Sequence, residues 1–66
     1  MNGNMLRGLI VADGYNMQTF AKAIGISNVS LSYKLAGKRP FTLDEAKDIA
    51  RLLRLTDNQV WTIFFA

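Results

Sequence analysis

The side chains that most often carry enzyme chemistry are missing from this chain or lack a partner. The sequence contains no cysteine and no histidine, which removes thiol nucleophiles, disulfides, zinc-finger ligands and the commonest general base together. Ser27, Ser30 and Ser32 therefore have no histidine to activate them. We expect a protein that is not an enzyme and that holds neither a metal nor a cofactor.

Two acids have a spacing that could hold a metal or move a proton. Asp44 and Asp48 are four residues apart and would share one face of a helix. Acids in the first turns of a helix favourably oppose the helix dipole, and Lys47 and Arg51 follow these two by three residues. We therefore expect both acids to stabilise a helix.

Positive charge is concentrated in the middle third of the chain. Residues 16–39 carry four cations and no acid, residues 1–15 are neutral, and residues 40–66 set three cations against four acids, which adds up to the net charge of +3. The four cations are Lys22, Lys34, Lys38 and Arg39. Any surface built by this segment should attract polyanions.

Length and apolar pattern predict one small soluble domain over residues 1–66. A chain of 66 residues, half of them hydrophobic, supports one domain and not two. The longest apolar runs, Leu9–Ala12 and Ile63–Ala66, are far shorter than the roughly 18 residues of a membrane span. Arg7 and Asp13 interrupt any N-terminal signal peptide. We expect a cytoplasmic protein that does not bind a membrane.

Every periodic segment has helical spacing, which predicts an all-α fold of five helices. The predicted N-caps and terminating residues are Asn4 and Gly14 for the first helix, Asn16 and Gly25 for the second, and Ser27 and Gly37 for the third. Capping boxes begin the fourth helix, at Thr42 and Glu45, and the fifth, at Thr56 and Gln59. The fifth should run nearly to the C-terminus.

The second and third helices are predicted to meet at a tight corner, because only Ile26 separates Gly25 from the cap Ser27. A short helix, a turn led by glycine and a second short helix are the parts of a helix-turn-helix, whose second helix enters the DNA major groove. The positions at which this motif restricts the residue type carry suitable residues. Ala21 stands where two helices approach closely, Ile26 where the turn tucks a side chain inward, and Leu31 where the second helix faces the core.

Over nearly its whole length the chain resembles the phage repressor and Cro-like family of helix-turn-helix proteins, the lambda-repressor-like domains. Residues 20–27, FAKAIGIS, are similar to the family's second helix and turn, and residues 36–39, AGKR, to the basic loop after its recognition helix. The resemblance implies a compact five-helix fold, binding to a palindromic operator and usually a dimer. Met17 stands where the family often has a glutamine, and Lys34 where it more often has an apolar residue.

The outward face of the third helix, residues 28–36, should read bases in the major groove if Leu31 and Leu35 point inward. The predicted base contacts are Asn28, Val29, Ser32 and Tyr33. Asparagine can bond adenine, valine can pack on a thymine methyl, and hydroxyls read with low selectivity. The resemblance supports Asn28, Val29 and Tyr33 most directly. The structural alternatives are a first-turn role for Asn28, partial burial for Val29 and coverage of the core edge for Tyr33.

Phosphate contacts come from basic side chains and from helix N-termini, and they supply most of the affinity for DNA. The predicted phosphate contacts are Gln18, Ser27, Ser30, Lys34, Lys38 and Arg39. The alternative for Lys38 and Arg39 is a solvated loop charge, and Lys22 is expected to remain in solvent.

The fifth helix has more apolar surface than one core can absorb. Val60, Ile63 and Phe64 form one stripe, and Trp61 and Phe65 form a second. Exposed Trp and Phe dominate protein interfaces, so we expect Trp61 and Phe65 to contact a partner, with self-association first. The alternative is that Trp61 packs onto the first helix.

These features together predict a DNA-binding transcription regulator of phage or bacterial type, acting in the host cytoplasm on double-stranded DNA and forming a homodimer at least on DNA. The alternative is an interaction protein, similar to an antirepressor or an antitoxin, that binds another phage or bacterial regulator through its apolar helices. The modest base readers of the third helix and the apolar surface of the fifth keep both interpretations open.

Overall fold

A computed structural model describes residues 1–65, and over that range it contains five helices and no strand. They are α1 (Gly3–Ala12), α2 (Met17–Ala23), α3 (Asn28–Leu35), α4 (Leu43–Leu53) and α5 (Asp57–Val60), and α5 continues as one π-helical turn over Trp61–Phe65. Over the same range, no helix is long and apolar enough to cross a bilayer. The predicted all-α fold of five helices is confirmed.

The core is built from the apolar stripes that the periodicity predicts. Its fully buried large side chains are Leu6 and Ile10 of α1, Phe20 of α2, Leu31 of α3, Ile49 of α4 and Ile63 of the π-helical turn. Ala21 and Ile24 are also buried, and Ile26 packs against this core from the turn. The Cα radius of gyration is 10.5 Å, and side chains from α1 to α4 and from the π-helical turn form a single small core.

Four of the five predicted N-caps are confirmed. The side chains of Asn16, Ser27, Thr42 and Thr56 each accept a hydrogen bond from the backbone amide three residues on. The two predicted capping boxes are both present, because the side chains of Glu45 and Gln59 accept hydrogen bonds from the Thr42 and Thr56 amides at 2.9 and 2.8 Å. These local hydrogen bonds satisfy amides that a helix start otherwise leaves unpaired.

The predicted start of α1 at Asn4 is wrong, because Asn2 is the N-cap and accepts from the Met5 amide at 3.0 Å. The amide of Asn2 donates to the Ile63 carbonyl at 2.7 Å, which ties the N-terminal residues to the π-helical turn. Gly3 then lies directly against the Leu35 carbonyl, so closely that a Cβ at Gly3 would overlap its oxygen. Both contacts join residues distant in sequence, and local spacing does not reveal them.

The predicted terminating glycines Gly14, Gly25 and Gly37 follow the ends of α1, α2 and α3, and all three have positive φ. At the end of α3, Gly37 has a φ of 80°, and the amides of Gly37 and Lys38 donate to the carbonyls of Lys34 and Tyr33. This Schellman arrangement needs a residue in the left-handed region. At the end of α4 the same role falls to Arg54, with a φ of 52°.

We predict opposite effects for alanine at two glycines of α1. Gly3→Ala should lower the free energy of unfolding by about 1 to 3 kcal/mol, because the new methyl group must push α1 away from the α3 carbonyl. Gly8→Ala is the matched control: its Cβ would meet nothing within 4 Å, so the change should raise stability by about 0.5 to 1 kcal/mol. Urea unfolding followed by circular dichroism measures both. Equal effects at the two positions would contradict the close contact at Gly3.

Candidate nucleic-acid interface

The corner between α2 and α3 has the geometry that the sequence predicts. The two helices pack against each other and are joined by residues 24–27. Gly25 has a φ of 76°, and the Ile26 amide donates to the Ala21 carbonyl at 3.0 Å, which turns the chain sharply. The buried side chains of Leu31 and Leu35 then orient α3, so its opposite face is turned to solvent.

That opposite face carries the four predicted base readers, and all four are exposed. Val29 is 63% exposed, which rules out the alternative that it is partly buried. Asn28 and Ser32 are exposed beside it, and Tyr33 lies on the last turn of the same face. Their role as base contacts stays a prediction, but the structure places them together on one continuous solvent-facing surface.

The uncharged candidates for phosphate contact lie at the starts of α2 and α3. Gln18 is exposed in the first turn of α2. Ser27 is exposed, and its Oγ already accepts the Ser30 amide at 3.0 Å, while Ser30 itself is half-buried. The Ser27 side chain is thus engaged as a cap, and its contact with phosphate stays a prediction.

Lys34 is not available for phosphate, and the structure corrects this assignment. Its Nζ donates to both Oε1 and Oε2 of Glu45 at 2.6 Å, and the two side chains are only 9% and 15% exposed. The Phe41 ring also lies near this ammonium group, with its centroid 5.9 Å from Nζ. The position is buried, and the Glu45 carboxylate balances the charge of the buried ammonium group.

Glu45 has two roles in this contact. Its Oε1 accepts the Thr42 amide as the third residue of the α4 capping box, and the same carboxylate holds Lys34 of α3. Burial by itself raises the pKa of the Glu45 carboxyl, but the hydrogen bonds from Lys34 and Thr42 and the ammonium charge outweigh it, so this pKa lies below its ordinary value of 4.5. The pair joins the end of α3 to the start of α4 and closes the loop between them.

The two cations of that loop, Lys38 and Arg39, are held differently from Lys34. Lys38 and Arg39 are exposed, and within residues 1–65 neither forms an ion pair. Lys38 Nζ lies 5.7 Å and Arg39 Cζ 5.8 Å from the centroid of the Tyr33 ring, within the range of cation–π attraction. The sequence marked these three residues separately as readers and phosphate contacts, and the structure joins them in one cluster.

Two further predicted surface groups, Lys22 and the aromatic pair of the C-terminal turn, lie outside this cluster. Lys22 is exposed in the last turn of α2, as expected. Trp61 and Phe65 are 60% and 61% exposed, and their rings stack with centroids 5.9 Å apart and planes 24° apart. Trp61 therefore does not pack into the core, whereas Ile63 of the other stripe is fully buried.

Comparison of the chain with protein-family models, with curated proteins and with solved structures finds no match. A function for this protein therefore rests on the chemistry and geometry of its own residues.

We predict that stability depends on pH through Glu45. Because the folded pKa is lowered, the carboxylate stabilises the fold above 4.5, and this contribution is lost as the pH falls through 4.5 and below. Glu45→Gln should lower the free energy of unfolding at pH 7 by about 1 to 3 kcal/mol, since it leaves buried Lys34 without a counter-charge.

The variant should also be less sensitive than the wild type to acid below pH 4.5. Asp44→Asn removes an exposed acid from the same helical turn and should change stability by less than about 1 kcal/mol. Urea unfolding at a series of pH values measures all three proteins. An unchanged acid dependence in Glu45→Gln would show that the pair does not control it.

Proposed function

We propose that this protein is a DNA-binding transcription regulator of the repressor and Cro type, acting in the bacterial cytoplasm with α3 in the major groove of a palindromic operator. The observation that carries the proposal is the division of α3 into two faces. One face is buried through Leu31, Lys34 and Leu35, and the other presents only exposed side chains. A helix-turn-helix requires such a helix to be held by the core on one side and left open on the other.

The chemistry of the open face suits DNA. It offers an amide, an aliphatic side chain and a hydroxyl, on Asn28, Val29 and Ser32, and Tyr33 lies beside them on the last turn. These groups can bond base edges or pack on a thymine methyl. None of them carries a charge, so the affinity must come from the phosphate contacts around them.

Electrostatics supports the same placement. Of the four cations in residues 16–39, Lys34 is neutralised by Glu45, which leaves Lys22, Lys38 and Arg39 exposed. Lys38 and Arg39 directly follow α3, at the end of the open face. Since this segment contains no acid, its field favours a polyanion over a neutral partner.

The salt dependence of binding tests this proposal, with a duplex first selected from random DNA. Replacing both Lys38 and Arg39 by Gln should weaken binding and reduce the slope of log affinity against log salt by about 1.8 per subunit, or 0.9 for each lost phosphate contact. Two-fold symmetry in the selected sequences would identify a palindromic operator.

The matched control removes two exposed cations elsewhere. Arg7→Gln with Lys47→Gln produces the same change in net charge on α1 and α4. It should leave the slope within about 0.5 of the wild type, because those side chains contact no phosphate. The proposal fails if the two double variants behave alike, or if binding by the wild type does not respond to salt.

The proposed regulator acts as a homodimer, at least on DNA, with Trp61 and Phe65 at the interface. Aromatic side chains of this kind each offer roughly 150 to 250 Å². At exposed fractions near 60%, the pair leaves about 180 to 300 Å² of apolar surface in water. Phe65 also lines an apolar groove of about 270 Å³, together with residues that include Phe41, Leu43 and Phe64. A two-fold axis there would present two copies of α3 to successive turns of the major groove.

Sedimentation at micromolar concentration tests the dimer. Trp61→Ala should weaken self-association by tenfold or more, roughly the effect of losing one aromatic hot spot. Val11→Ala removes a 60% exposed apolar side chain from α1 and should leave self-association unchanged. A wild-type protein that is monomeric both alone and on DNA excludes the dimer.

The same aromatic pair favours a second candidate function, that of an interaction protein which binds another phage or bacterial regulator, as an antirepressor or antitoxin does. Stacked, exposed Trp61 and Phe65 suit a protein partner and have no role in DNA binding by a monomer. A pull-down with co-encoded proteins, run beside the duplex selection, separates the two. Capture of one partner that depends on Trp61, with no duplex selected, would favour the interaction protein.

A further inference from the structure

The end of α3 holds its cations in two different ways. Lys34 is held by the Glu45 carboxylate, which fixes its position and cancels its charge. Lys38 and Arg39 have no carboxylate within ion-pair distance in residues 1–65, and what they contact is the ring of Tyr33. An aromatic ring attracts a cation through its quadrupole and leaves its net charge in place.

Backbone geometry explains why the ring and the cations meet. Gly37 lets the chain reverse at the end of α3, and the Lys38 amide then donates to the Tyr33 carbonyl at 2.9 Å. In this type of helix ending, the residue after the glycine returns over the last turn and contacts the side chain there. Lys38 is thereby brought to Tyr33, and Arg39 follows it to a similar distance from the same ring.

We infer that Tyr33 is a positioning residue, whose ring holds Lys38 and Arg39 in place for DNA phosphates before the DNA arrives. The inference rests on the proposed function and changes the part Tyr33 plays in it. The ring acts through the two cations, and the hydroxyl does not select a base. Both cations keep N–H donors for a phosphate, since an ammonium carries three and a guanidinium five. Holding long side chains in advance reduces the entropy lost when they bind.

Two substitutions separate the ring from the hydroxyl. Tyr33→Phe keeps the ring and should leave affinity for the selected duplex within about twofold of the wild type. Tyr33→Leu removes the aromatic face and should weaken binding by about 3- to 30-fold, from two lost contacts of the exposed kind. This loss should be equal for the selected duplex and for a scrambled one, because phosphates carry no sequence information. Circular dichroism confirms that both variants fold.

A double-mutant cycle decides whether the ring acts through the cations. When Lys38 and Arg39 are both replaced by Gln, adding Tyr33→Leu should change affinity by less than about twofold, because the ring then has nothing to position. A persistent loss in that background would mean that the ring contacts DNA itself and would overturn the inference. Tighter binding by Tyr33→Leu alone would also overturn it, because the ring would then be keeping Lys38 and Arg39 away from the phosphates.

A measurement without DNA distinguishes failure of this inference from failure of the proposed function. In nuclear magnetic resonance spectra of the free protein, the terminal side-chain protons of Lys38 and Arg39 should be shifted upfield by the ring in the wild type and in Tyr33→Phe. The shifts should vanish in Tyr33→Leu. Their absence from the wild type overturns the inference whatever the protein binds. Their presence in a protein that binds no duplex overturns the regulator assignment, and with it any role of the ring in DNA binding.

Discussion

The contact on which the candidate site depends is the one between the Lys34 ammonium and the Glu45 carboxylate. It joins the last turn of α3 to the first turn of α4 across eleven residues of chain, with both Nζ–Oε distances at 2.6 Å. Because both side chains are largely buried, separating them would leave an uncompensated charge in the interior. The rotation of α3 about its axis is therefore held on its buried side by an ion pair as well as by two leucines.

Rotation of α3 decides what the molecule shows to solvent. With Leu31, Lys34 and Leu35 inside, the polar residues of α3 that remain are uncharged, and the positive charge is displaced to the loop that follows. The loop itself is closed by the same pair, since Glu45 also caps α4 through the Thr42 amide. Because Glu45 cancels the charge of Lys34, the exposed cations of residues 16–39 number three and not four. They are Lys22 at the end of α2, and Lys38 and Arg39 after α3.

A second set of contacts joins the chain ends to this framework. The Asn2 amide bonds to the Ile63 carbonyl, and Gly3 lies against the carbonyl at the end of α3, so α1 packs on α3 and is itself tied to the C-terminal turn. Phe41 packs edge-on against Phe64 at 5.9 Å, which connects the basic loop to the C-terminal turn as well. Trp61 and Phe65 lie outside all of these contacts. An aromatic pair that the core does not use is surface available to a partner.

The amino-acid sequence by itself determined the helices, most of their caps and the apolar stripes that form the core. Those features depend on residues three or four apart, such as Thr42 with Glu45, and local hydrogen bonding reveals such pairs without knowledge of the fold. Tertiary structure alone decided that Lys34 is buried, that Asn2 is tied to Ile63 and that Tyr33 gathers two cations. A lysine is expected to lie in solvent unless a carboxylate from a distant part of the chain reaches it. A glycine is expected to make the chain flexible unless a carbonyl from another helix lies against it. Contacts between remote parts of a chain depend on how its helices pack, and no local pattern encodes that packing.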